Sequence, residues 1–177
     1  TVEKHRTVNP LSDIFVEAAK DAGHKKNDNF NGKEQEGVGR YQVTQRNGER
    51  CSSAKAYLTP VLSRTNLKVI SAAHATRVIF DGKKAVGVEY SKDDSLITAD
   101  INNSGEVILS GGALQSPQLL MLSGIGKKEV LQRHNIPLVH ELAGVGKNLQ
   151  DHLDITIMHK AATKDPIAMQ TVGAFES

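Results

Sequence analysis

Apolar residues repeat at helical spacing near the beginning of the chain, between positions 11 and 22. The repeating residues are Leu11, Ile14, Phe15, Ala18 and Ala22. Asn9 and Pro10 precede them and are typical of a helix cap and a first helical residue, and Gly23 is typical of a helix end. The pattern therefore predicts an amphipathic helix that packs against the rest of the protein through its apolar face.

The next segment, residues 24–40, is polar and rich in glycine and asparagine. It predicts a long loop, and long loops of this kind often cover or line a binding site. Alternating positions from Tyr41 to Gln45 predict a short strand that ends at an Asn47–Gly48 turn. A second helix is expected over residues 52–61, with Ser52 or Ser53 as its cap.

The middle of the chain predicts a series of β-strands. Asp81–Gly82 is the strongest hairpin signal, because Asp-Gly favours the tight turns that join antiparallel strands. The expected strands are 67–70, Thr76–Phe80, Ala85–Tyr90, Leu96–Ile101 and Glu106–Ser110. The second, third and fourth of them predict an antiparallel meander. The fifth is rich in aliphatic and β-branched residues, as in strands that are buried on both faces.

A strand–turn–helix unit is predicted around the glycine pair that follows the apolar strand Val107–Leu109. Gly111 and Gly112 allow a tight turn or the close approach of a ligand. Ser116 is expected to cap the following helix and Pro117 to start it. The free N–H groups and dipole of a helix start favour a negative group by about 0.3–1 kcal/mol at an exposed site. A nucleotide-binding turn and a simple tight turn both remain open on these residues.

The last part of the chain predicts shorter elements. A helix is expected over Lys128–His134 and a strand over Pro137–Glu141. Residues 143–152 are dense in glycine and hydrogen-bonding groups and predict a loop. The positions that suggest a final strand are Ile155, Ile157 and His159.

Composition and charge narrow the function classes. The chain has 177 residues, a net charge of +2 and 24% charged residues, so nothing favours a nucleic acid partner. It has no run of about 18 apolar residues that would predict a membrane span. The first residues lack the apolar core of a secretory signal, and they lack an initiator Met, so we expect a piece of a longer chain. The single cysteine, Cys51, excludes an internal disulfide and fits a reducing compartment.

Several familiar sites are missing from the sequence. Gly126–Lys127 and Gly146–Lys147 resemble the end of a phosphate-binding loop, but Met121 and Glu141 stand where its first glycine belongs. No Gly-x-Gly segment continues to the third glycine of the dinucleotide fingerprint, which argues against a nicotinamide-dependent dehydrogenase. The seven histidines lack metal-ligand spacing, so no metal site is predicted.

The segment Gly112–Gly126 resembles the second signature of the GMC (glucose–methanol–choline) flavin oxidoreductases. The matching positions are Gly112, Ala113, Ser116, Pro117, Leu119, Leu120, Ser123, Gly124, Ile125 and Gly126. Flanking segments are also similar to that family, namely Asp28–Gly32, Ser53–Leu58, Asp81–Glu89 and Gly144–His152. The resemblance covers roughly residues 9–157 and is strongest to choline dehydrogenase-like enzymes and bacterial FAD-dependent alcohol dehydrogenases.

This resemblance implies the middle third of a much longer enzyme that transfers a hydride from a primary alcohol to N5 of FAD. The family's pyrophosphate-binding glycine loop would precede Thr1, and its catalytic histidine would follow Ser177. We therefore expect no catalytic residue in this chain, and we expect that the fragment neither binds FAD tightly nor oxidises an alcohol by itself. Its partners would be a small alcohol substrate and the missing parts of the same enzyme, with no metal and no nucleic acid.

The resemblance also implies a set of cofactor-binding positions. They are Ala75, Gly111, Gly112, Ser116, Asn148, Asp151 and His152. By analogy with the family, the backbone of Ala75 would approach the adenine, the glycine turn would lie beside the adenosine part of FAD, and the last three residues would close a loop near the flavin. The alternative for these last three residues is ordinary loop hydrogen bonding.

Asp154 is the implied substrate-lining position. Choline-oxidising members of the family carry a glutamate there, which faces the trimethylammonium group. An aspartate keeps the charge but is one methylene shorter, so choline is less favoured and a primary aliphatic alcohol becomes the alternative. A solvent-facing strand end is the other interpretation of Asp154.

The expected fold is mixed α/β or α+β. It would comprise part of an FAD-binding domain, with a β-meander and a strand–turn–helix unit, together with segments of an antiparallel-sheet substrate domain. Residues 48–153 are assigned to the FAD-binding domain, and residues 1–47 and 154–177 to the substrate domain. A stand-alone binding or interaction module is the alternative function. The expected location is the bacterial cytoplasm, with peripheral attachment to the inner membrane as the alternative.

Overall fold

The computed structural model describes residues 2–102 and 104–156. They divide into two units, residues 2–69 and residues 70–156. Of the final strand expected at 155–159, only residues up to 156 are described, and these are not in a strand. The rest of that expected strand, and most of the segment assigned to the substrate domain at 154–177, lie outside the described residues.

The first unit contains the predicted N-terminal helix, α1, at Pro10–Asp21. The Asn9 side-chain oxygen accepts a hydrogen bond from the Leu11 amide at 2.9 Å, which confirms the predicted cap. The expected packing through the apolar face is wrong for most of its members. Val16 is buried, whereas Phe15 is 67% exposed and Ile14 is similarly open. The helix therefore forms from its local sequence, while the described residues leave most of its apolar face exposed.

The predicted loop over residues 24–40 contains neither a helix nor a ladder of strands. Its two ends meet at a single parallel bridge between Lys26 and Val38. The Asn27 amide side chain donates hydrogen bonds to the carbonyl oxygens of Glu34 at 2.9 Å and Glu36 at 3.3 Å. One asparagine thus closes the loop from within.

The turn predicted at Asn47–Gly48 joins two short antiparallel strands, β1 at Gln45–Arg46 and β2 at Glu49–Arg50. Asn47 has φ of 55° and Gly48 has φ of 82°, as a type I′ turn requires. The expected strand from Tyr41 onwards is shorter than predicted, because before β1 only Val43 is bridged, to Glu3.

The second predicted helix forms, but not as an α-helix. Its main part is a π-helical turn at Ala54–Leu58, which continues into a 3₁₀ turn at Thr59–Val61. Ser52 Oγ accepts from the Lys55 amide at 3.2 Å, so one of the two proposed caps is confirmed. The Thr59 amide donates to the carbonyl of Ala54, five residues earlier, rather than to that of Lys55, four residues earlier. Pro60 has no N–H to donate to Ala56, so an α-helical ladder cannot continue past Thr59.

The second unit contains the predicted meander. Its strands are β3 at His74–Asp81, β4 at Lys84–Lys92 and β5 at Ser95–Asp100, and they pair antiparallel in that order. Gly82, the first loop residue, has φ of 57°, the sign that a type II′ hairpin turn requires there. The second turn has positive φ at both Asp93 and Asp94, as in a type I′ turn. Local turn chemistry thus determines this sheet.

Two predicted strands, at 67–70 and Glu106–Ser110, do not form. Both segments lack ladder partners among the described residues, and a strand exists only where a neighbour completes its hydrogen bonds. Ile108 is 81% exposed, so the expected burial on both faces is also wrong. The apolar composition of these segments is that of buried strands, but their sheet is absent from the described part of the chain.

The remainder of the second unit is built around a helix, α2, at Gly112–Leu122. A short strand β6 at Ile125–Gly126 follows and pairs in parallel with β7 at His140–Glu141. Between them lies α3 at Lys128–Arg133, which confirms the predicted short helix. The strand predicted from Pro137 begins only at His140. Leu131 of α3 is 1% exposed and forms the centre of this small core.

The side chain of Ser123, at the C-terminal end of α2, connects this helix to the meander. Ser123 Oγ accepts from the buried Val78 amide at 2.8 Å and donates to the Leu119 carbonyl at 2.6 Å. Val78 lies on β3, an edge strand whose outward N–H groups have no neighbouring strand in the meander. Ser123 is 6% exposed, so the contact replaces a ladder hydrogen bond in a place that water does not reach.

Gly124 and Gly126 bring the chain after α2 close to β7. Gly124 has φ of 85°, and a β-carbon there would lie 2.5 Å from the Pro137 carbonyl oxygen. The Gly124 carbonyl accepts from the Val139 amide at 2.9 Å, and the Gly126 carbonyl accepts from the Leu142 amide at 3.1 Å. Gly124 therefore ends the helix, and both glycines also allow the backbone to approach the segment that contains β7.

We expect Ser123→Ala to lower the free energy of unfolding of the second unit by about 1–3 kcal/mol, because the buried Val78 amide would lose its acceptor. Amide hydrogen exchange at Val78 and denaturant unfolding measure the effect. Ser95→Ala is the matched control, since Ser95 is exposed and its hydroxyl makes one long bond of 3.5 Å. Equal effects of the two substitutions would contradict the assignment.

Candidate functional site

The helix that follows the Gly111–Gly112 turn starts earlier than the sequence predicts. The helix begins at Gly112, one turn before Ser116 and Pro117, so Ser116 is not its N-cap and Pro117 lies inside the helix. Ser116 Oγ instead accepts from the Gly111 amide at 2.9 Å. The hydroxyl thus folds back on the glycine turn. The rule that Ser-Pro begins a helix is wrong here because the tertiary turn supplies an earlier start.

The start of α2 and the loop over residues 144–150 enclose a cleft of about 510 Å³. On the helix side the lining residues are Ala113, Leu114, Pro117 and Met121. On the loop side they are Gly146, Lys147, Asn148, Leu149 and Gln150. A β-carbon built on Gly146 would lie in ordinary contact with Met121 Cε, at 3.5 Å, and the φ of 74° at this position favours glycine. The cleft has an apolar floor and a polar rim, as small-molecule sites commonly do.

The rim of this cleft favours a negative or strongly accepting group. The first N–H groups of α2 have no acceptor within the helix, as at every helix start. Lys147 adds a positive charge, and Asn148 adds a polar side-chain amide. The backbone of Asn148 has φ of 55°. Beside Gly112, which has φ of 86°, the space where a β-carbon would lie is open. The structure thus brings Asn148 to the same cleft as the helix that begins at the glycine turn.

The other predicted site residues lie elsewhere. Asp151, His152 and Asp154 are exposed and do not line the cleft. The Asp151 side chain accepts from the His152 amide at 2.8 Å, which is the loop hydrogen bonding that the alternative interpretation expected. Ala75 lies on β3 opposite Tyr90 and is exposed. Met121 and Leu149 line the cleft, and sequence analysis missed both as site residues because they look like ordinary core residues.

A polar cluster on the meander was also missed. Glu89 of β4 accepts from Thr76 Oγ1 at 2.7 Å and from Arg77 Nη2 at 2.8 Å. The hydrogen bond from Arg77, followed by that from Thr76, holds the pKa of the Glu89 carboxyl below its usual range. Only the register of β3 against β4 could have indicated this cluster. Counting residue pairs back from the turn does not give that register, because the pairing is irregular at Thr76 and Val86.

A second cavity, of about 270 Å³, lies within the first unit beside α1 and residues 39–42. Charged groups of both signs line it. Arg40 forms an ion pair with Asp13, and Lys26 lies 3.4 Å from Asp28. These exposed pairs neutralise much of the cavity wall and stabilise the unit little. The cavity therefore offers no strong attraction for a ligand of either sign.

Two negative findings concern the described residues alone. Within residues 2–102 and 104–156, no three His, Cys, Asp or Glu side chains are placed to hold a metal ion. None of the helices in this part of the chain is long and apolar enough to cross a bilayer.

A sequence profile of the GMC oxidoreductases matches residues 1–154. The chain is 53% identical over 164 residues to an alcohol dehydrogenase [acceptor] of Pseudomonas putida, covering 93% of this chain and 30% of that protein. It is 49% identical over 170 residues to human mitochondrial choline dehydrogenase, covering 96% of this chain and 28% of that protein. The chain thus spans less than a third of the length of these relatives.

Solved structures agree with these matches. A pyridoxine 4-oxidase from Mesorbium loti superposes with a TM-score of 0.79 at 29% identity, over 85% of this chain and 30% of that one. An FAD-dependent oxidoreductase from Chaetomium thermophilum gives a TM-score of 0.77 at 28% identity, over 85% of this chain and 26% of that one. The predicted mixed fold, as part of an FAD-binding domain, is confirmed.

We expect Ser116→Ala to loosen the glycine turn, because the Gly111 amide would lose the hydroxyl that it contacts at 2.9 Å. The net cost should be about 0.5–1.5 kcal/mol, measured as faster amide exchange at Gly111 and a lower free energy of unfolding. Ser110→Ala, at an exposed neighbouring serine, is the control. Unchanged exchange at Gly111 would show that the hydroxyl does not hold the turn.

Proposed function

The chain belongs to the GMC oxidoreductase family, and we propose that it is the middle part of an FAD-dependent dehydrogenase that oxidises a primary alcohol. The observation that carries the proposal is the cleft between α2 and residues 144–150, at the carboxyl side of the Gly111–Gly112 turn. Two of the family-matching segments, Gly112–Gly126 and Gly144–His152, meet at this cleft. The parent enzyme, rather than this fragment, would perform the reaction.

The residues around the glycine turn fit the adenosine part of FAD. The open space beside Gly112 would be filled by a β-carbon, and the cleft volume of about 510 Å³ is within the usual range for small-molecule sites. The N–H groups at the helix start and the Lys147 ammonium favour a part of the ligand that is negatively charged or accepts hydrogen bonds. These features support a cofactor contact, although the family's pyrophosphate loop would come from the part of the enzyme before residue 1.

In this proposal the chain's residues bind and orient rather than transfer protons. Gly111, Gly112 and Ser116 shape the wall beside the adenosine, and the backbone of Ala75 approaches the adenine. Asn148 closes the wall of the cleft, and Asp151 and His152, which follow it outside the cleft, would approach the flavin. The FAD, when bound, supplies a hydride acceptor at its flavin N5. The histidine that takes the hydroxyl proton would belong to the part of the enzyme after residue 177.

The substrate is proposed to be an uncharged primary alcohol, with choline as the second candidate. Asp154 carries a carboxylate that would attract the choline cation, but from a shorter side chain than the family's glutamate. The identity to the Pseudomonas putida alcohol dehydrogenase, 53%, and to human choline dehydrogenase, 49%, leaves both candidates open. Asp154 is therefore the residue on which to test substrate choice.

The alternative function, a self-sufficient binding module, receives less support. Ile108 and most of the large apolar side chains of α1 are exposed, and the segments at 67–70 and 106–110 lack ladder partners among the described residues. A part of a larger enzyme has such surfaces, since other segments of the enzyme cover them. For the parent we propose a cytoplasmic location in a bacterium, with peripheral attachment to the inner membrane as the alternative.

We expect the 177-residue polypeptide to retain no flavin after incubation with FAD and desalting, because the pyrophosphate loop is missing. The absorbance spectrum of the desalted protein measures retention. The protein encoded by the complete parent reading frame, treated in the same way, should carry one flavin per chain. Stoichiometric flavin on the short polypeptide would contradict the proposed division of the cofactor site.

In the parent enzyme, Asp154→Asn should lower kcat/KM for choline by about 5–10-fold, because an attraction of about 1 kcal/mol between carboxylate and cation is lost. The kcat/KM for 1-butanol should change little, and in the unmodified enzyme it should exceed that for choline. Asp154→Glu is the matched variant that should improve the use of choline. An equal fall for both alcohols would remove Asp154 from the substrate site.

A further inference from the structure

Strand β3 contains an extra residue directly after Ala75. Ala75 pairs with Tyr90 and Arg77 pairs with Glu89, so Thr76 has no partner of its own on β4. Nearer the turn, Ile79 pairs with Gly87 and Phe80 with Ala85, which leaves Val86 as the extra residue on β4. The two bulges shift the register in opposite directions and therefore cancel. At its open end the hairpin returns to the pairing that an unbroken two-residue turn would produce.

The bulge at Thr76 is held by one carboxylate. Thr76 Oγ1 donates to the Glu89 carbonyl oxygen at 3.1 Å and to Glu89 Oε1 at 2.7 Å. Arg77 Nη2 donates to the other carboxylate oxygen, Oε2, at 2.8 Å. The Glu89 side chain is only 16% exposed. One partly buried carboxylate thus binds the bulged residue and the residue that follows it, which fixes the bulge from both sides.

We propose that Glu89 is a positioning residue: by holding the bulge at Thr76, its carboxylate sets the register of His74 and Ala75 against β4. The part of this inference that concerns FAD rests on the proposed function, in which Ala75 lies beside the adenine. A one-residue change of register turns each side chain to the other face of the sheet. We call the hydrogen-bonded group of Thr76, Arg77 and Glu89 the clamp. It determines on which face of the sheet the side chains before Thr76 lie, and therefore which of them face the cofactor.

The alternative register is defined by the same pairing. Without the bulge, the regular pairing of Val78 with Val88 and of Arg77 with Glu89 would continue to Thr76 opposite Tyr90 and Ala75 opposite Ser91. Val78 would not move, because Ser123 holds its amide from the other side. The two registers thus differ only before Arg77, and they predict different cross-strand contacts for Ala75.

Charge makes the clamp sensitive to acid. The pKa of Glu89 is lowered by the hydrogen bonds from Arg77 and then Thr76. On β5 the residue opposite is Thr98, which carries no charge, and Asp100, opposite Gly87, lies diagonally on the same face. The charged group that is bonded to Glu89 is Arg77, at 2.8 Å on β3. A lowered pKa means that the clamp is complete above the carboxyl's usual pKa of about 4.3 and weakens as the pH falls through the lower folded value.

Cross-strand proton contacts in the isotopically labelled 177-residue polypeptide test the inference. At neutral pH we expect contacts of Ala75 with Tyr90. In Thr76→Val and Glu89→Gln we expect contacts of Ala75 with Ser91, and amide exchange at Arg77 faster by about tenfold. The Val78 amide is the internal reference. Acidification of the unmodified protein should produce the same change without any substitution.

Two variants serve as controls. Thr76→Ser keeps the hydroxyl and should retain the original contacts. Glu129→Gln removes another carboxyl with a lowered pKa, which lies on α3, and should leave the register unchanged. Persistence of the Ala75–Tyr90 contacts in both Thr76→Val and Glu89→Gln would overturn the inference. If Glu89→Gln unfolds, the comparison of Thr76→Val with Thr76→Ser and the acid titration decide between the two outcomes.

A titration with excess FAD separates this inference from the proposed function. Chemical-shift changes at Ala75 in the unmodified protein, lost in Thr76→Val but kept in Thr76→Ser, would support the link to the cofactor. Shift changes of equal size in all three proteins would overturn that link. Because the short polypeptide is expected to retain no flavin, the adenine contact itself is tested in the complete parent enzyme, where absence of any FAD-dependent shift at Ala75 would contradict it. The register result stands without the ligand.

Discussion

The hydroxyl of Ser123 is the contact on which the second unit depends. It joins the Val78 amide, at the open edge of the meander, to the last turn of α2. Without it a buried N–H would lack an acceptor, and α2 would have no polar anchor on the sheet. The helix start and the glycine turn lie at the other end of the same helix, and the cleft extends along it from Ala113 to Met121, so their position depends on how this end is fixed.

The glycines after Ser123 extend the same constraint. Gly124 brings the backbone within hydrogen-bonding distance of Val139, and Gly146 lets the following loop approach Met121. A β-carbon on Gly124 would lie 2.5 Å from the Pro137 carbonyl oxygen, and the φ of 74° at Gly146 favours glycine. The candidate cleft thus depends on the backbone paths that these two glycines allow. Its apolar floor consists of α2 residues that would be ordinary core residues in a different setting.

Elements with local causes were predictable. The Asn9 cap and the Asn47–Gly48 turn formed where residue chemistry placed them. The hairpin that Asp81–Gly82 predicted also formed, with its loop one position later at Gly82 and Lys83. Each needs only its neighbours in sequence. The Gly112–Gly126 signature likewise identified the family. The strand expected at Glu106–Ser110 did not form, since a strand needs a partner that this stretch of chain does not supply. The start of α2 was wrong because Ser116 bonds to the turn instead of capping the helix.

The sequence by itself therefore determined the turns, the first helix and the family, all of which follow from short-range patterns or long motifs. Only the tertiary structure decided that Ser123 completes the edge of the meander and that Glu89 holds the bulge at Thr76. It also decided that Asn148, but neither Asp151 nor His152, joins the cleft with α2. The physical reason is that these outcomes depend on register and on distances between residues far apart in the chain. A one-residue bulge or an earlier helix start changes such distances without leaving a mark in the local pattern.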